Sequence, residues 1–109
     1  MSEISKLNLN LTIKKLDTNT TNFQISNNSM LMAIVGQFDQ NLKELEKLTN
    51  VNTFFRGNSI TCKGNASNIE IFSQAIEFLI NKYLLTNVIE KEDILLSVKK
   101  NMKPESSNV

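Results

Sequence analysis

The sequence predicts an α+β fold: a three-stranded antiparallel sheet with helices on one face, and a segment ahead of it that offers an extra N-terminal strand. Three observations carry this. Apolar and polar residues alternate near the N terminus and again on both sides of Gly57-Asn58. Apolar residues recur at helical spacing after Asn28, after Asp39 and after Ser67. Residues that suit turns and helix ends, Gly36, Asn50 and Gly57 among them, fall between these stretches.

Residues 1–6 read as a loose terminus. Leu7, Leu9, Leu11 and Ile13 then alternate with Asn8, Asn10 and Thr12 as a strand does. A polar loop, Asp17-Thr-Asn-Thr-Thr-Asn22, leads to a second short alternation at Phe23 and Ile25. Period two fits both segments, so either can be the first sheet strand. Asn27 or Asn28 caps a short helix with Leu31, Ile34 and Val35 on one side. Gly36 ends it, since glycine leaves a helix through positive φ without steric cost. Asp39 is placed to cap the next helix, where Leu42, Leu45 and Leu48 recur, and Asn50 is placed to end it.

Gly57-Asn58 makes a two-residue hairpin turn that pairs Phe55 with Ile60, Thr53 with Cys62 and Val51 with Gly64. All the core-like positions then share one face, and Asn52, Phe54 and Arg56 lie on the other across from Lys63, Thr61 and Ser59. Ser67 and Glu70 have capping-box spacing at the start of the longest helix, whose stripe is Ile69, Phe72, Ile76, Leu79, Ile80 and Tyr83. After Thr86-Asn87, the acids in Glu90-Lys-Glu-Asp and the bases Lys99-Lys100 bracket Ile94, Leu95 and Val98, as a helix dipole favours. The chain thus divides into an N-terminal strand, extension and polar loop (1–19), a folded unit (20–100) and a polar tail (101–109) containing Pro104.

Composition narrows function by exclusion. Twelve Lys+Arg against 11 Asp+Glu give a net charge of +1, so any pull on phosphate is local rather than global. Without histidine, Ser-His and Cys-His catalysis and most zinc sites fall away. Cys62, the single cysteine, cannot form an internal disulfide and alternates with Ile60 as a small core residue. A reduced, cytoplasmic setting fits. No apolar run approaches the length of a membrane span, and no signal-peptide pattern is present, so no membrane partner is expected.

Helix, Gly-started loop, helix, hairpin, helix is the outline of a KH-like domain in the type I order, a fold that holds single-stranded nucleic acid. The run Asn28-Ser-Met-Leu-Met-Ala-Ile-Val-Gly36-Gln-Phe-Asp-Gln-Asn-Leu42, followed by Leu45-Glu46, Val51 and Arg56-Gly57-Asn58, resembles the N-terminal domain of PhoH-like, phosphate starvation-inducible-type ATPases. The likeness continues through Gly64, the long helix and Glu92-Asp93-Ile94, with Asn50 and Thr53 as mild departures. The resemblance implies a KH-like domain ahead of a P-loop ATPase domain, a role in RNA metabolism including ribosomal RNA processing, and an rRNA-processing endoribonuclease as partner. The sequence has no Gly-x-x-x-x-Gly-Lys-Ser/Thr, so ATP is expected only for the family's ATPase domain and no cofactor is expected for this chain. The expectation is a family member cut before that domain, with the tail from Lys103 beginning the linker.

Two groups of residues are candidates for nucleic-acid contact. Gly36, Gln37 and Asn41 stand where typical KH domains clamp nucleotide backbone with Gly-x-x-Gly, but Asp39 replaces the second glycine. The structural alternative makes Asp39 an N-cap and Phe38 a packing residue. On the hairpin, Phe54 lies between Arg56 and Lys63, with Asn58 in the turn; an aromatic beside cations can stack a base, or else pack or dock. Lys43 and Lys47 follow each other at i, i+4 but alternate with Glu44 and Glu46, as a solvated face does. The functional expectation is an RNA-binding accessory domain. The alternative is a docking or oligomerisation domain for the ATPase or the nuclease; catalysis by this chain is not expected.

Overall fold

The computed structural model describes residues 10–99. Strands β1 (Leu11–Asp17) and β2 (Thr20–Ile25) are followed by helix α1 (Asn28–Val35), a 3-10 turn (Gln37–Asp39) and helix α2 (Gln40–Thr49). Then come β3 (Asn52–Arg56), β4 (Ser59–Lys63), α3 (Ala66–Thr86) and α4 (Lys91–Lys99). The strands form one antiparallel sheet in the order β1-β2-β4-β3.

The class is α+β, but the expected three-stranded sheet has four strands. Both N-terminal alternations are strands, joined at Thr18-Asn19 by a turn in which the Asp17 carboxylate accepts from Asn19 N–H at 2.8 Å. The β2 strand takes the inner place beside β4, and β1 is the outer edge. Leu7, Leu9 and the tail over 101–109 lie outside the described residues.

Strand parity sorts the sheet into two faces. Phe23 and Ile25 of β2 and Ile60 and Cys62 of β4 are fully buried against the helices. Phe72 of α3 meets Phe23 edge-on, with ring centroids 5.4 Å apart, and this contact ties helix layer to sheet. The register of the β3-β4 hairpin is the expected one, Thr53 opposite Cys62 and Phe55 opposite Ile60. Val51 packs on Gly64, where a Cβ would come within 3.1 Å of Val51 Cγ1. β1 is different: Ile13 and Leu16 remain exposed, and a register shift falls between Lys15 and Asp17.

Three helix ends differ in detail from the sequence reading. Asn27 caps α1, accepting from Met30 N–H at 3.0 Å, and Gly36 and Asn50 leave α1 and α2 through positive φ as expected. Asp39, however, precedes α2 with φ 60° and makes no capping hydrogen bond, because a left-handed residue aims its carboxylate away from the first helical N–H groups. The cap of α3 is Asn65, which accepts from Asn68 N–H at 2.8 Å. Ser67 is already inside that helix and donates to Asn65 at 3.1 Å, while Glu70 accepts from Gln74 at 2.9 Å, so the Ser67/Glu70 box does not form. At α4, buried Asp93 accepts from Glu90 N–H at 2.8 Å and pairs with Lys82 of α3. No described helix is long and apolar enough to cross a membrane.

Candidate nucleic-acid interface

The face of the sheet turned away from the helices is built by alternation. Its rows, read across β1, β2, β4 and β3, are Thr12-Gln24-Ser59-Arg56 and Lys14-Asn22-Thr61-Phe54, with Thr20, Lys63 and Asn52 below. Phe54 is 58% exposed in this face although it is a large apolar residue. Lys63 Nζ lies 5.9 Å from its ring centroid, an arrangement that holds the ring in place by cation-π attraction. Asn22 donates to Thr61 Oγ1 at 2.9 Å, and Gln24 donates to the Asn58 side chain at 3.4 Å. Asn58 also anchors the turn, its carbonyl accepting from Ile25 N–H at 3.0 Å.

Lys14, Arg56 and Lys63 supply three cations to these strand positions. The carboxylate nearest in register, Asp17 opposite Thr20, is engaged by the Asn19 turn. A local excess of positive charge around an exposed ring therefore sits on a chain whose total charge is close to zero. Asn22, Gln24 and Lys14 escaped the sequence reading. The alternation of Asn22 and Gln24 with Phe23 and Ile25 was the signal for the first two; Lys14 needed the pairing of β1 with β2.

The structure separates the two groups of candidates. Phe54, Arg56 and Lys63 share the open face, with Asn58 at its end; Gly36, Gln37, Asn41 and Lys43 belong to the helix layer on the opposite side. Gly36 has φ 83°, and a Cβ there would come within 2.7 Å of Asn41 Cγ. Asn41 in turn donates to the Ala33 carbonyl at 3.2 Å, so it braces the loop rather than pointing free. Phe38, expected as a packing residue, is 88% exposed with φ 55°. Two successive left-handed residues, Phe38 and Asp39, swing the ring outward.

Beside the loop, Lys43 lines a groove of about 170 Å³ with Asp39, Leu42, Glu46, Thr53 and Phe55. Glu46 accepts from Thr53 N–H at 2.6 Å and from Thr53 Oγ1 at 2.8 Å, pinning β3 to α2. Two carboxylates beside one lysine make this groove a poor seat for phosphate. Burial, with the nearby Glu46 charge, pushes the Cys62 thiol up to about 12, so it has little thiolate character. Among the described residues no three His, Cys, Asp or Glu side chains cluster as metal ligands would.

No protein-family model matches the chain, and neither a curated protein nor a solved structure matches it.

Proposed function

We propose that this chain is an RNA-binding accessory module of the KH-like, PhoH-like kind, and that it holds single-stranded RNA on the open face of its sheet. The observation that carries this reading is the exposed Phe54 ring set among Lys63, Arg56 and Lys14, three cations against the one carboxylate, Asp17, that these rows contain at the turn end of β1. An exposed ring accepts a base face, and cations beside it meet the flanking phosphates. Asn22, Asn52 and Gln24 add amide side chains to the strand positions of the same face.

The KH-like part of the reading is supported by chain order. With β1 set aside as an added edge strand, the elements from β2 to α3 run β-α-α-β-β-α. The contact surface differs from a Gly-x-x-Gly clamp, since Phe38 and Asp39 occupy that loop and Asn41 is used as a brace. The PhoH-like part rests on the motif residues from Asn28 to Asn58. It assigns ATP to a separate ATPase domain and names that domain and an rRNA-processing endoribonuclease as partners. A docking role is the second reading, and the exposure of Phe38 favours it.

The test is fluorescence anisotropy of a labelled single-stranded RNA at low and moderate salt, with Phe54→Ala and Arg56→Ala alongside. Engaging three phosphates gives a slope near −2 in log K against log salt, from about −0.7 per phosphate on a single strand. Saturable, salt-weakened binding that drops in both variants is the expected result. No binding by the parent chain would remove the RNA reading and leave the docking one.

A further inference from the structure

We propose that two copies of this chain associate about a two-fold axis, the Phe38 ring of each entering the groove between α2 and α4 of the other. This does not depend on the RNA reading, which uses the opposite face of the sheet.

Among the described residues Phe38 has the highest exposure of the large apolar side chains, at 88%. It is held out by two consecutive non-glycine residues with positive φ, a backbone that costs about 1–2 kcal/mol per residue. No core contact compensates for that display. Immediately after it, Gln40, Asn41 and Glu44 of α2 and Lys91, Ile94 and Leu95 of α4 line a groove of about 290 Å³. Ile94 forms a buried apolar floor, while Leu95 and the neighbouring Leu96 are 45% and 50% exposed. Knob and hole therefore meet at the N-terminal end of α2.

That adjacency selects the occupant. A two-fold contact uses the same patch on both partners, so it closes only where a protrusion and its receptor share one patch. The charges agree. Glu44 is on the α2 wall and Lys91 on the α4 wall, so the groove carries both signs, and a second copy can answer each charge with its opposite, Glu44 with Lys91 and Lys91 with Glu44. A groove of one sign would repel its own copy. The entering ring also meets the Lys91 ammonium, which favours an aromatic over an aliphatic knob.

Sedimentation equilibrium of the chain tests this. A contact built on one aromatic pair and two ion pairs is small, so the dimer should form in the range of about 10–200 μM protein. Phe38→Ala, which removes an exposed side chain and leaves the core intact, should weaken association about tenfold or more. Glu44→Lys and Lys91→Glu should each do the same by placing like charges together, and the double variant Glu44→Lys/Lys91→Glu should restore the dimer. A parent chain that stays monomeric through that range overturns the proposal. So does a Phe38→Ala variant that associates as the parent does, or a double variant no better than its singles.

Discussion

Lys82 of α3 donates to both carboxylate oxygens of Asp93 in α4, each at 2.8 Å, and Asp93 also accepts from Glu90 N–H at 2.8 Å. One side chain thus both caps α4 and fastens it to α3. Lys82→Met leaves Asp93 buried with its main partner gone. It should cost about 1–2 kcal/mol once solvent screening at the partly exposed lysine is allowed for. Denaturant unfolding measures the loss, and hydrogen exchange should show it concentrated over Lys91–Lys99.

The same pair sets an acid limb. Burial pushes the Asp93 carboxyl up, but the hydrogen bonds from Lys82 and from Glu90 N–H, with the Lys82 charge, outweigh it and hold it below its ordinary value. The native state then binds that proton less readily than the unfolded chain. Its contribution is present above about pH 4 and is lost as pH falls through the lower native value. Glu77 has the opposite sign: burial, then the Glu70 charge, raise its carboxyl, so its contribution falls as pH rises from the ordinary glutamate value through the higher native one. Asp93→Asn should flatten the acid limb, and Glu77→Gln should stabilise the protein near neutrality, both read from unfolding curves across pH.

Gly36→Ala should destabilise by about 1–3 kcal/mol, since it adds positive-φ strain to a Cβ within 2.7 Å of the Asn41 side chain. At protein concentrations below the dimer range, Phe38→Gly should leave the melting temperature unchanged or raise it, because the ring is 88% exposed and the backbone strain is relieved. Calorimetry of the two variants separates a glycine the loop requires from a phenylalanine it merely carries.

Asn65→Ala should cost about 1 kcal/mol by removing the cap of α3, and Ser67→Ala should stay within about 0.5 kcal/mol. Equal effects from both, in the same unfolding assay, would contradict the capping geometry.

The Cys62 thiol, fully buried and raised to about 12 by burial and the Glu46 charge, should react with a thiol-specific disulfide reagent only as fast as the protein opens. Reaction in native buffer should be slow, and complete within mixing time in denaturant.

How much of this was legible in the sequence depends on range. The hairpin at Gly57-Asn58 was readable because turn and alternation are local and agree on one register. So were the exits at Gly36 and Asn50, where residue type and backbone go together. Asn65 lost to Ser67 because two cap residues stand two positions apart; where α3 begins is decided by Gly64, which is held by Val51 and by hydrogen bonds to Asn19. Phe38 was misplaced because apolar character implies burial only statistically. Asp93 looked like a dipole partner, since nothing local reveals a lysine eleven residues upstream on another helix. The open face was half visible: Phe54, Arg56 and Lys63 came with the hairpin and Asn22 had its alternation with Phe23 as a signal, but Lys14 joins them only through the pairing of β1 with β2.

β1 is held along β2 by its backbone, with Leu11 half-buried and every later side chain in the strand exposed. What the sheet asks of that edge is an extended chain rather than a particular set of side chains. Substitutions from Thr12 to Leu16 are therefore nearly neutral for the fold, whereas their β2 neighbours Phe23 and Ile25 have almost no latitude. Mutational drift should run along the outer strand, letting that border of the open face change its chemistry while the core beneath stays fixed.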